Sequence, residues 1–136
     1  MSREGRVAIA ADVDLVSARQ RGRELAAELG FSRTDATLIA TAISELARNI
    51  LAYAGSGEIE LIRAHENGRD GVVVVAVDFG PGIADVEAAM QEGFSTAGGL
   101  GMGLPGARRL MDEFQVSSEE GKGTRITMKK WRSVGG

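Results

Sequence analysis

The chain has 136 residues, 43% of them hydrophobic and 26% charged, with a formal net charge of −3 at pH 7 and a pI near 5.2. That length gives one domain over residues 1–136, able to bury roughly two-thirds of its unfolded surface without staples. The absence of cysteine excludes disulfides, thiolate catalysis and Cys-ligated zinc, and a single histidine, His65, leaves no His-based metal cage. The acidic balance argues against nucleic acid held by general electrostatics. No apolar run approaches the ~18 residues of a membrane span, and no apolar stretch follows the charged N-terminus as a secretory signal would require. The composition is that of a small soluble cytoplasmic domain.

Taken in chain order, Val7 and Ile9 alternate with small or polar neighbours as a short first strand. Asp12 is placed to N-cap a helix running to about Leu29, stopped by Gly30. Ser32-Arg33-Thr34-Asp35 resembles a capping box and opens a second helix, whose apolar stripe is Ile39, Ile43, Leu46 and Ile50. Gly55 and Gly57 end it. Strands at about 58–66 and 72–79 flank Asn67-Gly68, a strong hairpin signal, although Arg69-Asp70-Gly71 suggests a longer loop. The run Val72 to Val77 is apolar on both faces of the pleat, which predicts a central strand. Eight of the 19 glycines then fall between Gly80 and Gly106, with room for a short helix near 85–91. A third long helix carries Leu104, Ala107, Leu110, Met111 and Phe114, with Pro105 in its first turn. Two strands, 115–118 and 124–130, close the chain. Helices and a mostly antiparallel sheet in two layers make an α/β sandwich.

Four places carry chemistry. Glu45 and Asn49 lie four apart on the second helix and so point the same way, with Cβ atoms ~6 Å apart. A carboxylate there can orient or deprotonate a hydroxyl, and an amide oxygen can complete a Mg²⁺ shell filled with phosphate oxygens and water. The plainer alternative is a solvated face with Glu45 paired to Arg48. Asp78-Phe79-Gly80-Pro81-Gly82 places a carboxylate at the end of the most apolar strand, beside glycines that permit close approach of a flat heterocycle bearing an exocyclic amine; an ordinary strand-ending turn has the same sequence. Gly98-Gly99-Leu100-Gly101-Met102-Gly103 leaves amides uncovered at a helix start, an anion site in the making, and the preceding Glu92–Ala97 stretch is composed like a lid. Gly121-Lys122-Gly123-Thr124 is a hairpin turn that gains meaning only beside the others.

Better-known phosphate motifs do not survive their context. Gly101–Gly106 satisfies G-x-G-x-x-G, but the stretch before it is polar and glycine-rich where the dinucleotide fingerprint needs a strand. Lys122 has Val116 where a Walker P-loop needs glycine. His65-Glu66 falls in a predicted strand, not on the exposed helix that a phospho-accepting histidine uses.

In order along the chain, Glu45-x-x-x-Asn49, Asp78-x-Gly80-x-Gly82, Gly99-x-Gly101-x-Gly103 and Gly121-x-Gly123-Thr124 resemble the four nucleotide boxes of the ATPase superfamily shared by gyrase B, Hsp90, histidine kinases and MutL. The length leaves no room for a transducer or dimerisation domain, and the chain is similar to the small anti-sigma-factor-type serine kinases. The segment Gly93–Gly106 and the Arg109–Phe114 that follows resemble the RsbT-like switch kinases of the stressosome. The resemblance implies a Bergerat-type ATP-binding fold, helices on one face of a mixed, mostly antiparallel sheet, and a Mg-ATP-dependent serine/threonine kinase of stress response. It implies that Asp78 accepts from the adenine amine, with Gly80 and Gly82 against the base and Thr124 supporting it. Asn49 would bind Mg²⁺. Gly99, Gly101, Met102 and Gly103 would hold phosphates with Ser95 and Thr96 on the lid, and Glu45 would orient or deprotonate the attacking hydroxyl. The implied partners are STAS-domain antagonist and scaffold proteins and a downstream output protein, typically a phosphatase. An anti-sigma factor that sequesters its target would share the same boxes.

Overall fold

The computed structural model describes residues 2–81 and 103–133. In chain order these form β1 (Ser2–Ile9), α1 (Asp12–Glu28), α2 (Arg33–Tyr53), β2 (Gly57–Glu66), β3 (Arg69–Asp78), α3 (Gly103–Leu110), β4 (Glu113–Glu119) and β5 (Gly123–Trp131). The five strands make one sheet in the order β1-β2-β3-β5-β4. All four pairings are antiparallel, so among the described residues the sheet holds no parallel pair.

Strand β3 is third of five and buried on both faces from Val72 to Ala76, as its apolar run predicts. Alternation sends Val72, Val74 and Ala76 to the helices, while Val73 and Val75 form a second apolar cluster with Ala64, Ile62 and Trp131 on the other face. The main core lies between sheet and helices, where Ile39, Ile43, Leu46 and Ile50 of α2 meet Ile59, Leu61, Ile126 and Met128. This is the two-layer α/β sandwich.

Local chemistry sets the element ends. The Ser32 hydroxyl accepts from the Asp35 amide at 3.1 Å and caps α2. Gly55, at φ 81°, ends the same helix by donating to the Ile50 carbonyl. Asn67 (φ 53°) and Gly68 (φ 77°) form a two-residue turn with both central residues at positive φ, so the hairpin is tight rather than looped. The cap of α1 differs from expectation. Ala11 is the N-cap and Asp12 the first helical residue, because the Asp14 carboxylate reaches back to the amides of Ala10 and Ala11 at 2.9 and 3.0 Å. The third helix is also shorter than its apolar spacing implies. It ends at Leu110, and Phe114 belongs to β4 opposite Met128. Asp112 makes the break: its amide donates to Lys129 O, and its carboxylate accepts the Trp131 amide at 2.7 Å.

Gly22 lets α1 approach α2 closely, since a Cβ there would overlap Ile43 Cδ1. Gly22→Ala is therefore expected to cost ~1–3 kcal/mol in urea unfolding. In an Ile43→Val background, which lacks that methyl, the same substitution should cost clearly less. Equal costs in the two backgrounds would show that the contact is not what limits the approach of the helices.

Candidate nucleotide site

Among the described residues, five polar side chains are buried: Ser44, Glu45, Asn49, Asp78 and Thr124. The Ser44 hydroxyl is spent on the Ala40 carbonyl of its own helix. The other four are residues that the sequence singles out, and burying them carries a cost that only hydrogen bonds or a ligand offset.

Asp78, Thr124 and Ser118 lie side by side across β3, β5 and β4, with Gly57 on the other side of Asp78. Asp78 Oδ1 accepts from the Gly80 amide at 3.0 Å. Among the described residues its Oδ2 accepts no hydrogen bond. Three glycines wall this seat. A Cβ on Gly57 would strike the Val77 carbonyl, one on Gly80 would meet Ala54 Cβ at 2.6 Å, and one on Gly123 (φ +108°) would strike the Asp78 carbonyl. Ser118, which the sequence analysis misses, orients Thr124. Its hydroxyl donates to the Gly123 carbonyl at 3.2 Å and lies 2.9 Å from Thr124 Oγ1. With the Ser118 proton on Gly123, the Thr124 hydroxyl donates to Ser118 and keeps its lone pairs for the site. Only strand register brings Ser118 there, and no sequence motif marks it.

Glu45 and Asn49 sit one turn apart on the inner side of α2, about 6 Å along its axis. The solvated face proposed as an alternative is not found, since the two residues are 5% and 6% exposed. The pair to Arg48 is found, with Arg48 Nη1 2.6 Å from Glu45 Oε1. Glu45 also does what no spacing predicts: its Oε2 accepts the Gly103 amide, at the start of α3, at 2.9 Å. A carboxylate on the first amides of a helix meets both unpaired N–H groups and the positive end of the helix dipole. Gly103, at φ 68°, thus already has an anionic partner. The Asn49 amide has no hydrogen bond among the described residues. Gly80 rests against Ala54 and the Tyr53 carbonyl, so the C-terminal end of α2 abuts the seat of Asp78.

Gly82, Ser95, Thr96, Gly99, Gly101 and Met102, the lid stretch and the short helix expected near 85–91 lie outside the described residues. His65 is exposed beside the hairpin turn, with Nδ1 3.0 Å from Asp70 Oδ1. The strand rise puts Asp70, and His65 paired opposite it, about 26 Å along β3 from Asp78.

A buried carboxylate at a strand end with one oxygen unbonded among the described residues, a glycine-walled seat, and a second buried polar pair beside a helix start lie together on this side of the fold. The family model of the histidine kinase-like ATPase domain matches residues 9–130. The chain is 51% identical over 131 residues to the serine/threonine-protein kinase RsbT of Bacillus subtilis (strain 168), covering 96% of this chain and 98% of that protein. It is 38% identical over 97 residues to an anti-sigma F factor of Caldanaerobacter subterraneus subsp. tengcongensis, with 68% of each chain covered. A crystal structure of the RsbU and RsbW domains of a Mycobacterium tuberculosis protein shares the fold, with a TM-score of 0.61 at 20% identity over 96% of this chain and 34% of that one. The chain belongs to the histidine kinase-like ATPase family and, within it, is a serine/threonine-protein kinase of the RsbT type. No described helix is long and apolar enough to cross a membrane.

The glycine wall makes a stability prediction. Gly123→Ala combines a strained φ with overlap onto backbone atoms that cannot rotate away, so a loss of at least ~2 kcal/mol is expected in urea titration. Gly121→Ala, at φ +79° with open space around its Cβ, should cost only the backbone term, ~1–2 kcal/mol. Equal losses would mean that the contact with Asp78 contributes nothing.

Proposed function

We propose that the chain transfers the γ-phosphoryl group of Mg-ATP to a Ser or Thr hydroxyl on STAS-domain antagonist and scaffold proteins of a stressosome-type partner-switching pathway. After release from them it activates a downstream output protein such as a phosphatase. The observation that carries this reading is the pair of buried polar groups, Glu45 and Asn49, set one turn apart beside the start of α3. The 51% identity to a serine/threonine-protein kinase supports it.

Each residue then has a task. Asp78 Oδ2 accepts from the adenine amine, with Gly80, Gly82 and Thr124 about the base. Asn49 would hold Mg²⁺ through its amide oxygen, and the ion would supply charge neutralisation for the phosphates. The amides of Gly99, Gly101 and Gly103, with Met102, would hold phosphates, and Ser95 and Thr96 would take part in binding them. The acceptor oxygen bonds to the γ-phosphorus as the bond to the β,γ-bridging oxygen breaks, its electron pair leaving on ADP, and the hydroxyl proton passes to Glu45. The transition state is loose, so alignment and charge stabilisation supply most of the rate. Gly103 cannot give its amide to Glu45 and to a phosphate at full strength together. Phosphate binding therefore releases Glu45 Oε2 at the moment it is needed.

Three substitutions test the division of labour. Asp78→Asn should weaken ATP affinity by ~10- to 100-fold in calorimetry, the value of a hydrogen bond to a charged acceptor, with the circular dichroism unchanged. Asn49→Ala should weaken Mg-ATP binding more than metal-free ATP binding. Glu45→Gln keeps the shape and an acceptor for Gly103, so it should spare ATP binding and slow transfer to a STAS protein by ~10²–10⁴-fold. If Asn49→Ala and Glu45→Gln lose nucleotide equally, both residues support the helix rather than the reaction. Capture of a sigma factor, with no phosphate passed to a STAS protein, would favour the sequestering role borne by the name of the anti-sigma F relatives.

A further inference from the structure

Glu45 is tied at both carboxylate oxygens, and the ties differ in kind. The Oε2 tie runs to the Gly103 amide, across 58 residues of chain. The Oε1 tie runs to Arg48 Nη1, 2.6 Å away and less than one turn along the same helix. The Glu45 side chain is 6% exposed and that of Arg48 38%. The guanidinium thus reaches inward from a surface hollow that it lines with Asp12, Leu15, Val16, Leu51 and Ala52. An ordinary exposed pair at this spacing contributes little. Here one member is buried, where a charge must be paired and hydrogen-bonded.

The consequence lies in what each tie does when the site is in use. A phosphate on the Gly103 amide removes the Oε2 tie. Without a second anchor the Glu45 side chain, with three rotatable bonds, is then free to leave the reacting hydroxyl for water or another rotamer. The Arg48 tie is local to α2 and does not depend on α3. We propose that Arg48 is a positioning residue for phosphoryl transfer: it holds Glu45 by Oε1 so that Oε2, once off the Gly103 amide, faces the incoming hydroxyl. This rests on the reading of Glu45 as the group that takes the hydroxyl proton. Arg48 itself touches neither nucleotide nor acceptor, and works only through Glu45.

The test uses the full chain with two variants. Arg48→Met keeps an unbranched stem and removes the charge, and Arg48→Lys keeps a charge that can reach Oε1. With Mg-ATP and a STAS-domain acceptor, Arg48→Met should lower kcat by ~10- to 100-fold, the usual loss for a misplaced group, without raising KM for Mg-ATP. Arg48→Lys should recover much of the rate. Without nucleotide, amide exchange at Gly103 should accelerate in Arg48→Met and return toward the original rate in Arg48→Lys, because a loosened carboxylate holds that amide less well. An unchanged kcat in Arg48→Met, or a parallel loss of kcat and Mg-ATP affinity that Lys does not restore, would overturn the proposal. If the unaltered chain transfers no phosphate, the functional reading fails instead. Gly103 exchange then still decides whether Arg48 holds Glu45: acceleration in Arg48→Met supports the tie, and an unchanged rate refutes it.

Discussion

A buried carboxylate bonded to a backbone amide, Glu45 Oε2 to Gly103 N at 2.9 Å, is the contact on which the site depends. It joins the middle of α2 to the first residue of α3, and the two helices then pack along Leu104 and Ala107. At the other side of the site the Pro81 carbonyl accepts the Gly121 amide at 2.8 Å. Pro81 and Gly103 are thus each bonded to another part of the described fold, Pro81 to the β4–β5 turn and Gly103 to α2. The bond also sets a conflict. On the proposed function, the Gly103 amide that phosphate would use is occupied by the carboxylate that would act on the acceptor, so binding one ligand would ready the group for the next.

The sheet contributes the opposite wall by a different means. Strand β3 is too apolar to face water on either side, so it is central, and its first polar inward-facing residue after Val72, Val74 and Ala76 is Asp78. Burial of that carboxylate is tolerated because Gly57, Gly80 and Gly123 bring backbone close around it, and because the Gly80 amide takes one oxygen. Bulk on any of these glycines would push α2, the loop after β3 or the β4–β5 turn away from the seat. The contacts that pack this end of the sheet also shape the surroundings of Asp78.

Much of this was legible in the sequence, for reasons tied to particular residues. The stripe Ile39, Ile43, Leu46 and Ile50 has one helical solution, and Ser32 and Gly55 mark its ends, so Glu45 and Asn49 fall on one face. The run Val72 to Val77 implies a central strand with Asp78 at its end; that Asp78 is itself buried comes from the glycines around it. Other features depended on partners distant in sequence. Phe114 fits the helical spacing of Leu104, Ala107 and Leu110, yet pairing with Met128 draws it into β4. Asp12 has the chemistry of an N-cap, but Asp14 closes that end from inside the helix. Ser118 carries no motif and reaches Thr124 only through register. The Glu45–Gly103 bond spans two elements that no local pattern relates.

On the proposed function, phosphate leaves Mg-ATP for a hydroxyl on another protein. Incubation of the chain with Mg-ATP and STAS-domain proteins, followed by mass spectrometry, shows where the phosphate goes. It is expected on a Ser or Thr of the STAS protein, strongly reduced with Glu45→Gln. Phosphate on His65 of the chain itself, or transfer at an undiminished rate with Glu45→Gln, would contradict it.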